Sequence, residues 1–166
     1  MKAAEKNARG LAFRAAVRED TPLILSFIRA LAEYEQLLSE VTATEDILEC
    51  WLFDKRAAEV IFALADGREV GFALFFQNFS TFLGRAGLYL EDLFVLPECR
   101  GRGIGKALFA ELARLSALRG YGRIDWWCLN RNKPGIDFYR SLGAVSMDEW
   151  TVFRLTDDPL RRLENG

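Results

Sequence analysis

The sequence predicts an α/β fold: one central mixed β-sheet with helices on both faces. Three observations predict it. Three strand-like runs, 57–65, 69–77 and 85–96, follow one another with only turns or a short loop between them, and strands joined in that way lie antiparallel. A strand–helix–strand unit then spans 85–129, and such a crossover makes a parallel pair. Strand and helix do not alternate throughout, which separates the chain from a doubly wound dinucleotide-binding sheet.

Each element has its own signal. Residues 11–17 (LAFRAAV) read as a first strand. Asp20 before Thr21 and Pro22 marks a helix start, because an aspartate side chain accepts from free amides and proline is tolerated in the first turn. Ile24, Phe27, Ile28 and Leu31 then share one helical face. Thr42-Ala-Thr-Glu45 has the form of a capping box before a short helix with Ile47, Leu48, Trp51 and Leu52. Asp66-Gly67 is a hairpin signal, since both central positions of a type I′ turn need positive φ.

Residues 78–84 read as a loop. After Pro97 a glycine-rich turn leads into a helix with Ile104, Leu108, Leu112 and Leu115 on one side and Gly120 at its end. A strand over 123–129, a short helix from Asn132 to Gly143, a last strand over 144–155 and a polar tail from Asp157 complete the order. Residues 1–10 read as a disordered lead and 11–166 as a single domain.

Composition bounds the chemistry. The 166 residues are 51% hydrophobic and 28% charged, which supports one sizeable core and excludes a disordered or low-complexity chain. Histidine is absent. That excludes Ser–His and Cys–His nucleophile pairs, a histidine base and a histidine-ligated metal. With 22 basic and 24 acidic residues the net charge is −2, without the basic footprint of a nucleic-acid binder. Cys50, Cys99 and Cys128 form no CxxC, so neither a disulfide framework nor a metal site is expected. No apolar run nears the ~20 residues of a membrane span, and the chain reads as soluble and cytoplasmic.

Arg100-Gly101-Arg102-Gly103-Ile104-Gly105-Lys106 lies between a strand and an amphipathic helix. Glycines admit a close backbone approach, a helix N-terminus has free N–H groups, and three cations reinforce an anion site. The spacing fits neither a Walker A loop, which needs Gly at position 100, nor a dinucleotide GxGxxG, which needs Gly at 106. A tight turn that binds nothing is the plainer reading of the local string.

Arg100-x-x-Gly103-x-Gly105, entered from Leu-Phe-Val-Leu-Pro, resembles the central motif of the GNAT superfamily of N-acetyltransferases. Asn132-Lys-Pro-Gly-Ile-Asp-Phe-Tyr139-Arg-Ser-Leu-Gly-Ala144 resembles that family's asparagine, short helix and tyrosine segment. The resemblance implies a GNAT-like acyl-CoA N-acyltransferase fold, with the loop from Arg100 to Lys106 holding the pyrophosphate of acetyl-CoA. Leu31-Ala-Glu-Tyr-Glu35 and Leu88-Tyr-Leu-Glu-Asp92 are further similar to the spermidine/spermine (diamine) N-acetyltransferase branch. That branch acts on polyamines and on thialysine-type amino acids.

Acetyl transfer from a thioester to an amine needs a base, since an alkyl ammonium has a pKa near ~10.4. It also needs a donor for the oxyanion and an acid for the leaving thiolate. The resemblance implies that Tyr139 is the acid; a tyrosine of pKa near ~10 keeps its proton at neutral pH. Glu91 and Asp92 are adjacent, so a regular strand turns them to opposite sides unless a bulge intervenes. The resemblance implies such a bulge, with the backbone of Leu93, Phe94 and Val95 free for the pantetheine arm and acetyl carbonyl. Glu91 is then the favoured acceptor-site carboxylate and base, directly or through water, and Asp92 the second choice; a solvated carboxylate pair is the plainer alternative.

Tyr34 and Glu35 are implied to line the acceptor site, and an ordinary helix end is their alternative. Asn132 bonds the cofactor, caps its helix, or does both. Asp148-Glu149-Trp150 keeps acidic character at the far end of the site. The loop from Phe79 to Gly84 lacks the acidic residue of the polyamine enzymes, which keeps the acceptor broad: a diamine, a polyamine or a lysine-like amino acid. Cys128 reads as inert core and Cys99, beside the basic loop, as the more reactive thiol. The alternatives are a protein or peptide acetyltransferase and a catalytically silent acyl-CoA-binding domain. The resemblance and the aromatic final strand imply a homodimer, with no nucleic-acid or membrane partner.

Overall fold

Alternating apolar residues and tight turns lay down a five-stranded sheet in the computed structural model, which describes residues 10–164. The expected N-terminal lead lies outside the described residues except for Gly10. Strands β1 (Ala12–Ala15), β2 (Glu59–Ala65), β3 (Arg68–Ser80), β4 (Arg85–Val95) and β5 (Ile124–Trp126) lie in chain order across the sheet. The first four pair antiparallel and β5 pairs parallel with β4, as the run of strands and the later crossover predict. Asp66 (φ +51°) and Gly67 (φ +79°) form the predicted turn between β2 and β3. β3 runs three residues into the expected loop, because Asn78, Phe79 and Ser80 pair with Gly87, Ala86 and Arg85.

Helix α1 (Thr21–Tyr34) covers one face of the sheet. Its Ile24 and Phe27 are buried with Phe62, Phe72, Leu74 and Phe94 of β2, β3 and β4. Phe27 stacks on Phe72 at 5.1 Å and meets Phe62 and Phe94 at 5.8 and 6.5 Å. Such aromatic pairs add ~0.5–1.5 kcal/mol each beyond their burial. The predicted cap is corrected: Asp20 makes no side-chain bond to α1. A 3₁₀ turn over 18–20 runs straight into the helix, and the Asp20 carboxylate accepts from the Val17 amide at 2.7 Å and from Arg14 at 2.6 and 2.8 Å.

Helix α2 (Glu45–Glu49) is capped by Thr44, whose Oγ1 accepts from the Ile47 amide at 3.3 Å, and continues as a π turn to Asp54. The expected box at Thr42 is therefore two residues early. Helix α3 (Ile104–Leu118) lies on the opposite face, where Leu108 and Leu112 are fully buried and Phe109 meets Trp126 at 5.1 Å.

The described chain divides into two compact units between Asn132 and Lys133. The second holds α4 (Lys133–Ser141) and α5 (Asp157–Glu164). The expected final strand over 144–155 is not formed: the segment is irregular, with a turn in which the Trp150 amide donates to the Met147 carbonyl at 3.1 Å. Met147-Asp148-Glu149 breaks the apolar alternation that a strand needs. The expected polar tail is helical instead, opened by Asp157 and Asp158 and closed by Arg161 and Arg162, charges that suit the helix dipole. Among the described residues no helix is long and apolar enough to cross a membrane.

Candidate active site

The register of β3 on β4 slips by one residue. Leu74 opposes Asp92 while Phe75 opposes Leu90, so Glu91 is the extra residue of a β-bulge. Asp92 thereby shares the α1 face of the sheet with its cross-strand neighbour Leu74 and with Phe94. On its other edge β4 pairs with β5 only at Leu88, Tyr89 and Leu90. From Glu91 to Val95 that edge has no β5 partner, which leaves room beside the backbone of Leu93, Phe94 and Val95.

The carboxylates at the bulge form an electrostatic group. Burial, with the neighbouring charges of Glu91 and Glu35, pushes the Asp92 carboxyl up to about 7. Burial also raises Glu35, at the end of α1, against a smaller opposing pull from Arg131. Glu91 itself is exposed. The sequence prefers Glu91 as the base; Asp92 is the carboxyl of the pair that burial and neighbouring charge push upward.

The glycine turn leads off β4. Gly101 and Gly103 take φ of +73° and +78°, which non-glycine residues rarely adopt. Gly103 is the N-cap of α3, offers no side chain to the helix end, and is followed by a first turn without acidic residues. The first amides of α3, from Ile104, Gly105 and Lys106, thus have no intrahelical acceptor and face outward with the positive end of the dipole. Arg102 and Lys106 are exposed beside them. This set of donors suits a phosphate or pyrophosphate.

Arg100 differs from the other two cations of the turn. Its Nε donates to the Val95 carbonyl at 3.1 Å, and its guanidinium lies 4.4 Å from the Tyr34 ring centre and 5.2 Å from that of Phe94. The side chain is a strut between the end of β4 and the end of α1. Tyr34 extends the strut: its hydroxyl donates to Asn132 Oδ1 at 3.1 Å, and Arg131 donates to the Glu35 carbonyl at 2.7 Å. The structure therefore gathers Tyr34, Glu35, Asp92, Phe94, Arg100 and Asn132 in the first unit.

Tyr139 and Trp150 belong to the second unit. Tyr139 is half-buried on α4 next to Phe138, and its carbonyl accepts from the Leu142 and Ala144 amides. Trp150 is exposed on the irregular segment. Of the cysteines, Cys99 is buried, which corrects its reading as the reactive thiol. Burial and Glu35 push the Cys128 thiol up, away from the thiolate.

Two residues escape the sequence reading. Tyr89 stacks on Phe76 at 5.0 Å and meets Trp127 at right angles at 6.0 Å. Only register reveals them: Trp126 turns to Phe109 of α3, so the next residue, Trp127, turns to the α1 side.

Comparison with known proteins agrees with this geometry. Residues 25–144 match the acetyltransferase (GNAT) family. The chain is 34% identical over 162 residues to a thialysine N-epsilon-acetyltransferase of Bos taurus, covering 90% of this chain and 95% of the relative. It is 38% identical over 94 residues to an L-ornithine N5-acetyltransferase of Arabidopsis thaliana, covering 57% of this chain and 41% of that protein. Among solved structures, an integron cassette protein from V. cholerae superposes with a TM-score of 0.78 at 25% identity, covering 94% and 98% of the two chains.

Proposed function

Because the chain belongs to the acetyltransferase (GNAT) family, we propose that it transfers acetyl from acetyl-CoA to the primary amine of a small molecule, directly between the two bound substrates. The relatives act, by name, on thialysine and on ornithine. Both point to a lysine-like or ornithine-like amino acid, or a diamine of similar reach, as the acceptor. Residues 11–166 act as one domain in this reading.

The observation that carries it is the β4 bulge, which sets a carboxyl of raised pKa beside an unpaired strand edge, on the strand that the glycine turn links to an amide-rich helix start. The first-turn amides of α3, with Gly101, Arg102, Gly103 and Lys106, hold the pyrophosphate of acetyl-CoA. That co-substrate supplies the activated acyl group. The backbone of Leu93, Phe94 and Val95 orients it. Asp92 takes the proton of the incoming ammonium, with Glu91 as a second carboxylate acting directly or through water. Glu35 and Tyr34 shape the acceptor side, Asn132 fixes Tyr34, and Trp150 is a further acceptor residue in this reading. Tyr139 delivers the proton that the leaving thiolate needs.

A thiol-release assay with acetyl-CoA and a panel of lysine, thialysine, ornithine, putrescine, spermidine and a lysine peptide tests the proposal. Release with the small amines and little with the peptide is the expected result. Acetyl-CoA binding without release from any amine overturns it in favour of a silent acyl-CoA-binding domain. Tyr139→Phe should cut kcat severely with little change in acetyl-CoA affinity; an unchanged kcat removes its role as acid. The working assembly in this reading is a cytoplasmic homodimer, supported by the exposed apolar residues Val152, Phe153 and Leu155; sedimentation at assay concentration checks it.

A further inference from the structure

The gap between β4 and the chain beyond β5 has a closed end, and two tryptophans mark it. The last rung of the parallel pair joins Leu90 to Trp126. Past that rung β4 runs on without β5 from Glu91 to Val95, roughly 13 Å of strand, to the glycine turn. A group laid along this edge from the turn therefore stops at the Leu90–Trp126 rung.

Rings stand on both faces at the closed end. On the α3 side Trp126 meets Phe109, with ring centres 5.1 Å apart. On the α1 side stands Trp127. Continuing the parallel register puts it level with Glu91, next to Asp92 and at the start of the unpaired edge. Its ring meets Tyr89 at right angles at 6.0 Å, and Tyr89 in turn stacks on Phe76 at 5.0 Å. The three rings brace one another, so Trp127 cannot swing aside without losing an edge-to-face contact. Its other flank is open: the residue is 56% exposed, whereas Leu88 and Leu90 on the opposite face are buried. A large side chain braced on one flank and open on the other is the wall of a cleft.

Resting on the reading of the chain as an acetyl-CoA-dependent transferase, we propose that Trp127 sets the acyl-chain selectivity of the enzyme, holding the transferred group to acetyl against longer acyl thioesters. In that reading the thioester lies along Leu93, Phe94 and Val95, and its acyl end has to come within reach of an amine held at Asp92. Both conditions bring the acyl end to the closed end of the gap, where Trp127 stands. Each methylene beyond acetyl lengthens the group toward the ring, and a braced wall yields little to added volume. The neighbours do not supply that bulk on the α1 side: Leu90 turns to the α3 side, and Glu91 is exposed on the bulge.

The test is calorimetric binding of CoA, acetyl-CoA and butyryl-CoA to the full chain with no amine present. The wild type should bind acetyl-CoA more tightly than butyryl-CoA by ~10-fold or more, within the ~10–200-fold that one methylene is worth in a shaped apolar pocket. Trp127→Ala and Trp127→Leu should lower that ratio by ~5–10-fold, through tighter binding of butyryl-CoA, with free CoA bound as in the wild type. Trp127→Phe should fall between them and the wild type. The kcat/KM ratio for the two donors, measured with one acceptor amine, should move in parallel. A ratio unchanged in the Ala and Leu variants, an equal loss of affinity for all three ligands, or a wild type indifferent to chain length overturns the proposal while leaving the acetyltransferase reading intact. A wild type that binds none of the three overturns both.

Discussion

The two faces of β4 carry different jobs. On the α3 side Leu88 and Leu90 are buried, along with Leu108 and Leu112 of the helix above them. On the α1 side the strand changes character along its length. Phe94 is sealed under Phe27, Asp92 is partly covered at the end of α1, and Glu91 and Tyr89 stand beyond it. One face is uniform and apolar because its task is stability. The other gives up apolar burial for a carboxyl that burial and its neighbours push up to about 7, an arrangement that costs stability and, in the proposed reaction, supplies a proton acceptor. Substitutions on the two faces should therefore separate activity from folding.

The largest effect is expected at Asp92. Asp92→Asn should lower kcat/KM by ~10²–10⁴-fold, the usual range for a lost general base, in a protein that still folds. If Glu91 is the base instead, Asp92→Asn will lose far less and Glu91→Gln will carry the large loss. In the wild type kcat/KM should fall as pH drops through about 7, as Asp92 takes up its proton; the Asn variant should lack that limb. Stability moves the other way. A carboxyl whose folded pKa lies above its unfolded value binds protons more readily in the folded state, so stability declines as pH rises from about 4 to about 7. Asp92→Asn should thus melt higher than wild type at pH 8, by ~1–2 kcal/mol once solvent screening is allowed for, and equal to it near pH 4. Thermal melts at the two pH values check the sign.

Leu108→Ala on the opposite face should do the reverse. It removes a fully buried side chain and should cost ~2–5 kcal/mol, with kcat per folded molecule unchanged at low temperature. A variant that folds normally but loses turnover would show that the α3 face also shapes the site.

How much of this was legible in the sequence follows from the range of the forces involved. The Asp66-Gly67 turn and the period of α3 are local, and both were readable. The cap of α1 was not, because Asp20 is claimed by Arg14, and Arg14 also bonds Glu69 on a distant strand at 2.8 Å. The strand expected over 144–155 failed for a related reason: apolar content alone does not supply a partner strand. In the site, the glycine turn was legible from glycine chemistry, and the bulge only through family resemblance, since spacing places Glu91 and Asp92 on opposite sides. The burial of Asp92 beside an exposed Glu91, and the meeting of Tyr89 with Trp127, depend on register and on where α1 stops, which no local string encodes.

Arg100 ties the end of β4 to the end of α1, and its effect should be smaller. Counted as a cation of the turn, it reads as a phosphate ligand; its side chain instead bonds the Val95 carbonyl and lies over Tyr34 and Phe94. Arg100→Met keeps the apolar stem and removes the guanidinium. Loss of one charged hydrogen bond and a cation–π contact should cost ~1–2 kcal/mol in stability with a modest rise in the KM for acetyl-CoA. A tenfold rise in that KM without any change in melting would mean that the side chain turns outward to the phosphates.

The smallest effect is expected at Glu35. Its charge raises Asp92, behind burial and Glu91 in size. Glu35→Gln removes that charge while leaving the backbone carbonyl that Arg131 holds at 2.7 Å. The Asp92 pKa should then fall, and the acid limb of kcat/KM should move toward lower pH by a small amount, with the plateau nearly unchanged. A shift toward higher pH would mean that the carboxylate of Glu35 shields Asp92 from a buried apolar wall rather than repelling it, and the electrostatic ordering at the bulge would have to be reversed.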